Sequence, residues 1–428
     1  MRAQHTTHSL PAFPIYSCAF ISDDLLVAGG GGGASRSGIK NKLRLFRISV
    51  KRKLESLAEF ELDKDEDAPM SMAAHIESRT IVCGINSAVA KLQKGENENC
   101  RKFLIDSGDE FKFTLLGTRG TISPGNAEDY QRLSVLSNDA QFVAVGSERE
   151  VTSYKERLAT MMLTSKVQLT LLSYEGLSPV ARPILVSKGE IYDATLSATH
   201  LILATSVNLL VYALPATLRS RGKEKDAIID NLHTPIDSLP DLQLVKILDV
   251  PTISSIPVGA TVTFRASRLH PSDVNLFYSV INVTLPRAPK AKTAKKQAYI
   301  LKWRVSTADD VSFSAILEGS RKISEGSLTC FDVSPNGKLL AFGVSDYSLG
   351  ILDANSLAPL LSILKAHEFP ITALRFNPSS KLLVSGGVDS SIRIVAIPEK
   401  FGGLSWSVTI LIMLAILGVI FAVMLSRA

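Results

Sequence analysis

Short runs in which apolar and polar residues alternate, closed by glycine, asparagine or serine-proline turns, recur along most of the chain and predict β-strands. Near the N-terminus, residues 24–28 and 42–48 read as neighbouring strands. The second is apolar at Leu43 and Leu45 on one face and at Phe46 and Ile48 on the other. The clearest regularity comes late: residues 328–343 align with 371–386 at a constant offset of 43, with Ser334-Pro335-Asn336-Gly337 over Asn377-Pro378-Ser379-Ser380. The match continues through Asp346 onto Asp389 and through Leu349 and Ile351 onto Ile392 and Ile394. Weaker echoes lie at 16–48, 70–91, 133–172, 193–214 and 262–305, making seven units in all.

A period of about 40 to 45 residues, built as strand, turn, strand, Asp-containing turn, strand, is the WD-repeat pattern of one propeller blade per unit. Ala366-His367 stands where the repeat has Gly-His, and Val395-Ala396 replaces its Trp-Asp. The fold expected is all-β: a seven-bladed WD-repeat propeller within residues 1–397, its recognisable units running from about 10 to 397. Stretches 64–67, 148–163, 218–250 and 287–297 carry charge, Gly or Pro and read as rim loops.

One connection departs from the pattern. Between the first two strands stand Gly29, Gly30, Gly31, Gly32 and Gly33, followed by Ala34-Ser35-Arg36-Ser37-Gly38-Ile39-Lys40-Asn41. A hairpin needs only two to five residues, and successive glycines are entropically the costliest way to join strands. Such a loop implies positive φ angles or close approach of the backbone to something. Gly29-x-Gly31-x-x-Ala34 imitates a dinucleotide fingerprint and Gly33-x-x-x-x-Gly38 the start of a P-loop, but both motifs require a helix to follow. Here a strand follows, and Ile39-Lys40 stands where a P-loop has Lys-Ser or Lys-Thr. A plain surface connection is the bland alternative.

At the other end, residues 404–425 contain no charge. Twenty-two residues at 1.5 Å each span roughly 33 Å, enough for a hydrocarbon core of about 30 Å. A transmembrane helix is expected there, with Trp406 at the interface, residues 398–403 as linker and 426–428 as a luminal tail. The N-terminus is polar and shows no signal peptide. Cys18, Cys83, Cys100 and Cys330 lack metal-type spacing, so the folded part is expected in a reducing cytosol. The sequon at Asn282 then reads as a strand fragment.

The net charge of +6 is mild for 428 residues, and the basic clusters at 219–225 and 290–296 have loop composition. Low aromatic content argues against nucleic acid as a partner. The seven histidines are scattered, and no nucleophile-base or metal-ligand spacing appears, so no covalent chemistry is expected.

A WD-repeat propeller that carries Leu26-Val27-Ala28-Gly29-Gly30-Gly31-Gly32 and then Gly38-Ile39-x-Asn41-Lys42-Leu43 in its first blade, with an apolar C-terminal segment, resembles a known family. The family is the endoplasmic-reticulum guanine-nucleotide exchange factors for the small GTPase that starts COPII coat assembly. Its animal members are also described as prolactin regulatory element-binding proteins. Fungal members extend far into the lumen, whereas only residues 426–428 are expected beyond the span here. The resemblance implies exchange activity at the endoplasmic-reticulum membrane, a GTPase partner, and a loop 29–41 organised by a potassium ion whose ligands the residues do not identify. It further implies that Gly38, Ile39, Lys40 and Asn41 meet the GTPase, with Ile39 as apolar wedge and Asn41 as amide contact. The alternative is a membrane-tethered WD-repeat scaffold without exchange activity, since a propeller alone does not give function.

Overall fold

The computed structural model describes residues 4–34, 38–108, 110–122, 129–147, 167–215, 235–289, 291–306, 313–399, 401 and 413–416. Their strands form seven four-stranded antiparallel sheets. The innermost strands of blades one to seven are Ile15–Phe20, Ser71–His75, Gln131–Leu136, Ile191–Leu196, Thr261–Leu269, Leu328–Val333 and Ile371–Phe376. Each contacts the innermost strand of the next blade, and the last returns to the first, so the sheets close into a ring around a central channel.

A blade cannot bury both faces by itself, and the apolar residues accordingly collect between blades. Seven hydrophobic clusters occur, each shared by two neighbouring blades. Between blades one and two, for example, Val27 and Leu45 pack with Met72, Ile81 and Phe103. The turn between the third and fourth strands of the repeat is replaced in blade seven by ring closure. The N-terminal strand His5–Ser9 pairs with Ser391–Ala396 and completes that sheet.

Three expectations change. The polar N-terminus is a strand: His5–Ser9 has no apolar residue to announce it and is held by its ladder instead. Within the stretch 218–250, Gln243–Leu248 is not a loop but the outer strand of blade four, and as an edge strand it leaves Leu244 and Ile247 exposed. Blade two extends past residue 91, where Val89–Leu92 is a single helical turn, into strands Cys100–Ser107 and Phe111–Arg119. Asn282 lies within strand Leu276–Thr284 and exchanges hydrogen bonds with the Leu328 backbone, as a strand residue.

The stretch 148–163 and the basic cluster 219–225 lie outside the described residues. So does most of the expected span 404–425, of which only residues 413–416 are described; these are helical and exposed. No helix among the described residues is long and apolar enough to cross a membrane.

Candidate functional site

The glycine run is divided between strand and loop. Gly29 and Gly30 end strand Leu25–Gly30, paired with Lys42 and Leu43 of strand Lys42–Ile48, and a Cβ on either would collide with Pro69 or with the Pro14 carbonyl. The loop proper therefore begins at Gly31, later than expected. Gly31 (φ 138°) and Gly33 (φ 70°) lie where L side chains are strained. At Gly31 a side chain would also strike Asn41. Residues 35–37 lie outside the described residues.

The base of the loop is hydrogen-bonded to its surroundings. The Gly31 amide donates to the Pro14 carbonyl at 2.9 Å. Asn41 is 9 % exposed, and its carboxamide reaches across the loop. Its oxygen accepts from the Gly33 amide (2.9 Å), while its NH₂ donates to the carbonyls of Gly33 (3.0 Å) and Glu66 (2.6 Å). Its own carbonyl accepts from the Leu62 amide at 2.9 Å. Asn41 thus faces inward and ties the loop to the blade one to blade two connection. The resemblance implied an amide contact with the GTPase at Asn41; here the carboxamide is engaged within the loop and the neighbouring connection.

That connection is itself anchored. Glu66, 5 % exposed, takes both terminal guanidinium nitrogens of Arg101 at 3.0 and 2.6 Å, a bidentate pair of the strong kind. Asp67 accepts from the amides of Ala68 and of Ala34 within the loop; burial raises its carboxyl above the usual range, and the two amides only partly oppose that. No ion pair to Asp67 occurs among the described residues. Sequence reasoning took residues 64–67 as a solvated rim loop and missed Glu66, Asp67 and Arg101. The one signal was Arg101-Lys102 opening an otherwise apolar strand.

The outer half of the loop is presented to solvent. Gly38 and Lys40 are exposed and Ile39 is half-buried. Lys40 pairs with Glu61 at 2.5 Å and Lys42 with Glu59 at 2.9 Å, both across the strand to Leu54–Glu61. Such exposed pairs contribute little to stability but orient the side chains. The arrangement places one half-buried aliphatic side chain, Ile39, on the returning arm of a braced loop, just before two oriented lysines.

Comparison with known proteins agrees with the propeller fold. Residues 358–395, the outer strand of blade six and most of blade seven, match the WD domain, G-beta repeat family. The chain is 23 % identical over 399 residues to the putative guanine nucleotide-exchange factor SED4 of Candida glabrata, covering 91 % of this chain and 32 % of that protein. It is 22 % identical over 403 residues to the guanine nucleotide-exchange factor SEC12 of the same yeast, covering 93 % and 73 %. SEC12-like protein 2 of Arabidopsis thaliana is 38 % identical over 81 residues, 19 % of this chain and 21 % of that one. The chain is similar to Sec12-type exchange factors over about nine tenths of its length, whereas the repeat family model matches a single stretch of 38 residues. It spans about a third of the SED4 relative's length and about three quarters of the SEC12 relative's.

Proposed function

We propose that this chain is a membrane-anchored guanine-nucleotide exchange factor that promotes GDP release from the small GTPase initiating COPII budding at the endoplasmic reticulum. The observation that carries the reading is the braced loop: a generic scaffold has no need of a glycine-built excursion clamped by Asn41. The names of the full-length relatives support it. Anchoring rests on the uncharged segment 404–425.

An exchange factor breaks no bond. It binds the nucleotide-free partner more tightly than the loaded one, and linkage lowers nucleotide affinity by the same factor. Docking a loop already fixed by hydrogen bonds avoids the ordering cost that a floppy loop would incur. Ile39 then serves as the apolar wedge, and Lys40 and Lys42 as its charged flanks. A monovalent cation fits this loop: Asp67 is a half-buried carboxyl with no cationic partner among the described residues, and glycine carbonyls approach an ion without side-chain obstruction. Asp67 and the carbonyls of residues 31–33 would hold it, and it would supply the positive charge that keeps those oxygens together.

The test is release of a fluorescent GDP analogue from the COPII GTPase in the presence of the full chain in membranes. The wild-type chain accelerates release. Ile39→Ala removes about 1–2 kcal/mol of apolar contact and slows release roughly tenfold with an unchanged melting temperature. No acceleration by the wild-type chain would favour the scaffold, and wild-type speed in Ile39→Ala would sink the loop assignment.

A further inference from the structure

The innermost strands do not simply wall the channel. In six of the seven blades the ladder to the second strand slips by one residue near its start, at Ile15/Ser17, Gln131/Leu133, Ile191/Asp193, Phe264/Ala266, Leu328/Cys330 and Ile371/Ala373. A bulge re-aims the residue it leaves unpaired. The six bulged residues are Tyr16, Arg132, Tyr192, Arg265, Thr329 and Thr372, and all of them line one cavity of about 350 Å³ at the channel mouth. Because Ile15 pairs with Gly30, this mouth opens on the face from which the glycine loop leaves.

The chemistry of the ring is lopsided. Over blades three to five, the guanidiniums of Arg132 and Arg265 stand over the Tyr192 ring at 4.5 and 5.2 Å from its centroid. Deeper in the channel, Arg268 pairs with Asp193, and Arg375 lies 3.8 Å from Asp332. Glu190 accepts the Tyr192 hydroxyl at 2.8 Å. Each of those carboxylates bonds to or pairs with another group, and the one side-chain hydrogen bond of Arg265 among the described residues goes to a neutral acceptor, the Thr329 carbonyl at 2.9 Å. A guanidinium carries five N–H donors. Burial, followed by repulsion from Arg132, lowers the Arg265 pKa and outweighs the opposing attraction of Asp193.

We propose that the channel mouth is a binding site for a small soluble phosphate-bearing anion, held by Arg265 and Arg132. Planar guanidiniums match the oxygens of a phosphoryl group. The cavity volume admits inorganic phosphate or pyrophosphate and a small organic phosphate. A site enclosed by the inner strands is reached by a free anion more readily than by a headgroup held in a bilayer.

Pyrophosphate is the probe, titrated into the purified full-length chain at constant ionic strength so that general screening does not mimic binding. Calorimetry should give saturable binding, and the melting temperature followed by tryptophan fluorescence should rise by about 1–3 °C at saturating probe. Arg265→Gln should weaken binding at least about tenfold, and Arg132→Gln should do so independently. Arg265→Lys, which keeps the charge but not the fork, should fall between. If Arg265→Gln does not fold, Arg132→Gln decides alone. Absence of saturable binding to the wild-type chain, or equal affinity in the folded glutamine variants, overturns the site. Nucleotide exchange plays no part in this readout, so its outcome is separate from that of the proposed function.

Discussion

Asn41 uses both ends of its carboxamide on main-chain groups, the Gly33 amide and the Gly33 and Glu66 carbonyls, in a position that water barely reaches. Truncation to alanine removes all of these bonds and strands buried donors and acceptors, a loss of about 2 kcal/mol. Asn41→Ala is therefore expected to lower the melting temperature and to slow exchange together, because the loop must then be ordered at docking. Ile39→Ala slows exchange alone, and comparing thermal melts of the two variants separates bracing from contact. An Asn41→Ala chain as stable as wild type would show that the clamp is idle. From the sequence, Asn41 carried only the amide contact that the resemblance implies. What buries it is the 62–69 segment, and local pattern carries no information about that distant partner.

At the scale of the blade, the repeat units are legible where turn chemistry and strand period coincide, as in 328–343 and 371–386. They blur where a blade depends on edge strands such as Gln243–Leu248, whose apolar residues face outward. The glycine loop was legible as an anomaly, but its boundary was not: Gly29 and Gly30 are strand residues because Pro14 and Pro69 press against them. In blade seven, His367 shows how one buried ring joins the pieces of a unit. Its Nδ1 donates to Asp389 at 3.0 Å and its Nε2 lies 2.8 Å from the Ser385 hydroxyl. Burial lowers the His367 pKa, although Asp389 opposes the shift. The unfolded chain then binds a proton that the folded blade resists, so stability is full above the ordinary histidine pKa near 6.5 and declines as pH falls below it. Asp389, whose pKa is also lowered, extends the same decline further into acid. Melting temperature measured from pH 7.5 to 5 should fall, and His367→Gln should begin lower and flatten that slope. An equal slope in His367→Gln would assign the acid sensitivity elsewhere.

Closure of the whole ring rests on residues that the hydrophobic pattern could not flag. His5–Ser9 supplies the outer strand of blade seven, opposite Val395 through Ser391, and its hold is polar: the Ala396 amide donates to the Gln4 carbonyl at 2.9 Å and the Leu10 amide to the Ser390 carbonyl at 2.8 Å. Thr6 and His8 both reach the Arg52 carbonyl, at 3.0 and 2.8 Å, tying blade seven to blade one. Leu10 and Phe13 then enter the cluster that those two blades share. In a closed propeller no blade stands alone, so weakening one seam exposes the apolar faces on both sides of it. Removing residues 1–9 leaves Ser391–Ala396 as an unpaired edge, an aggregation hazard, and forfeits a ladder of hydrogen bonds worth roughly 1 kcal/mol each. Thermal unfolding followed by fluorescence of the buried Trp303 should then begin several degrees lower and become concentration-dependent as open edges pair between molecules. Loss of melting temperature with no concentration dependence would mean that blade seven retains a covered edge. An unchanged melting temperature would mean that the ring closes without its N-terminal strand.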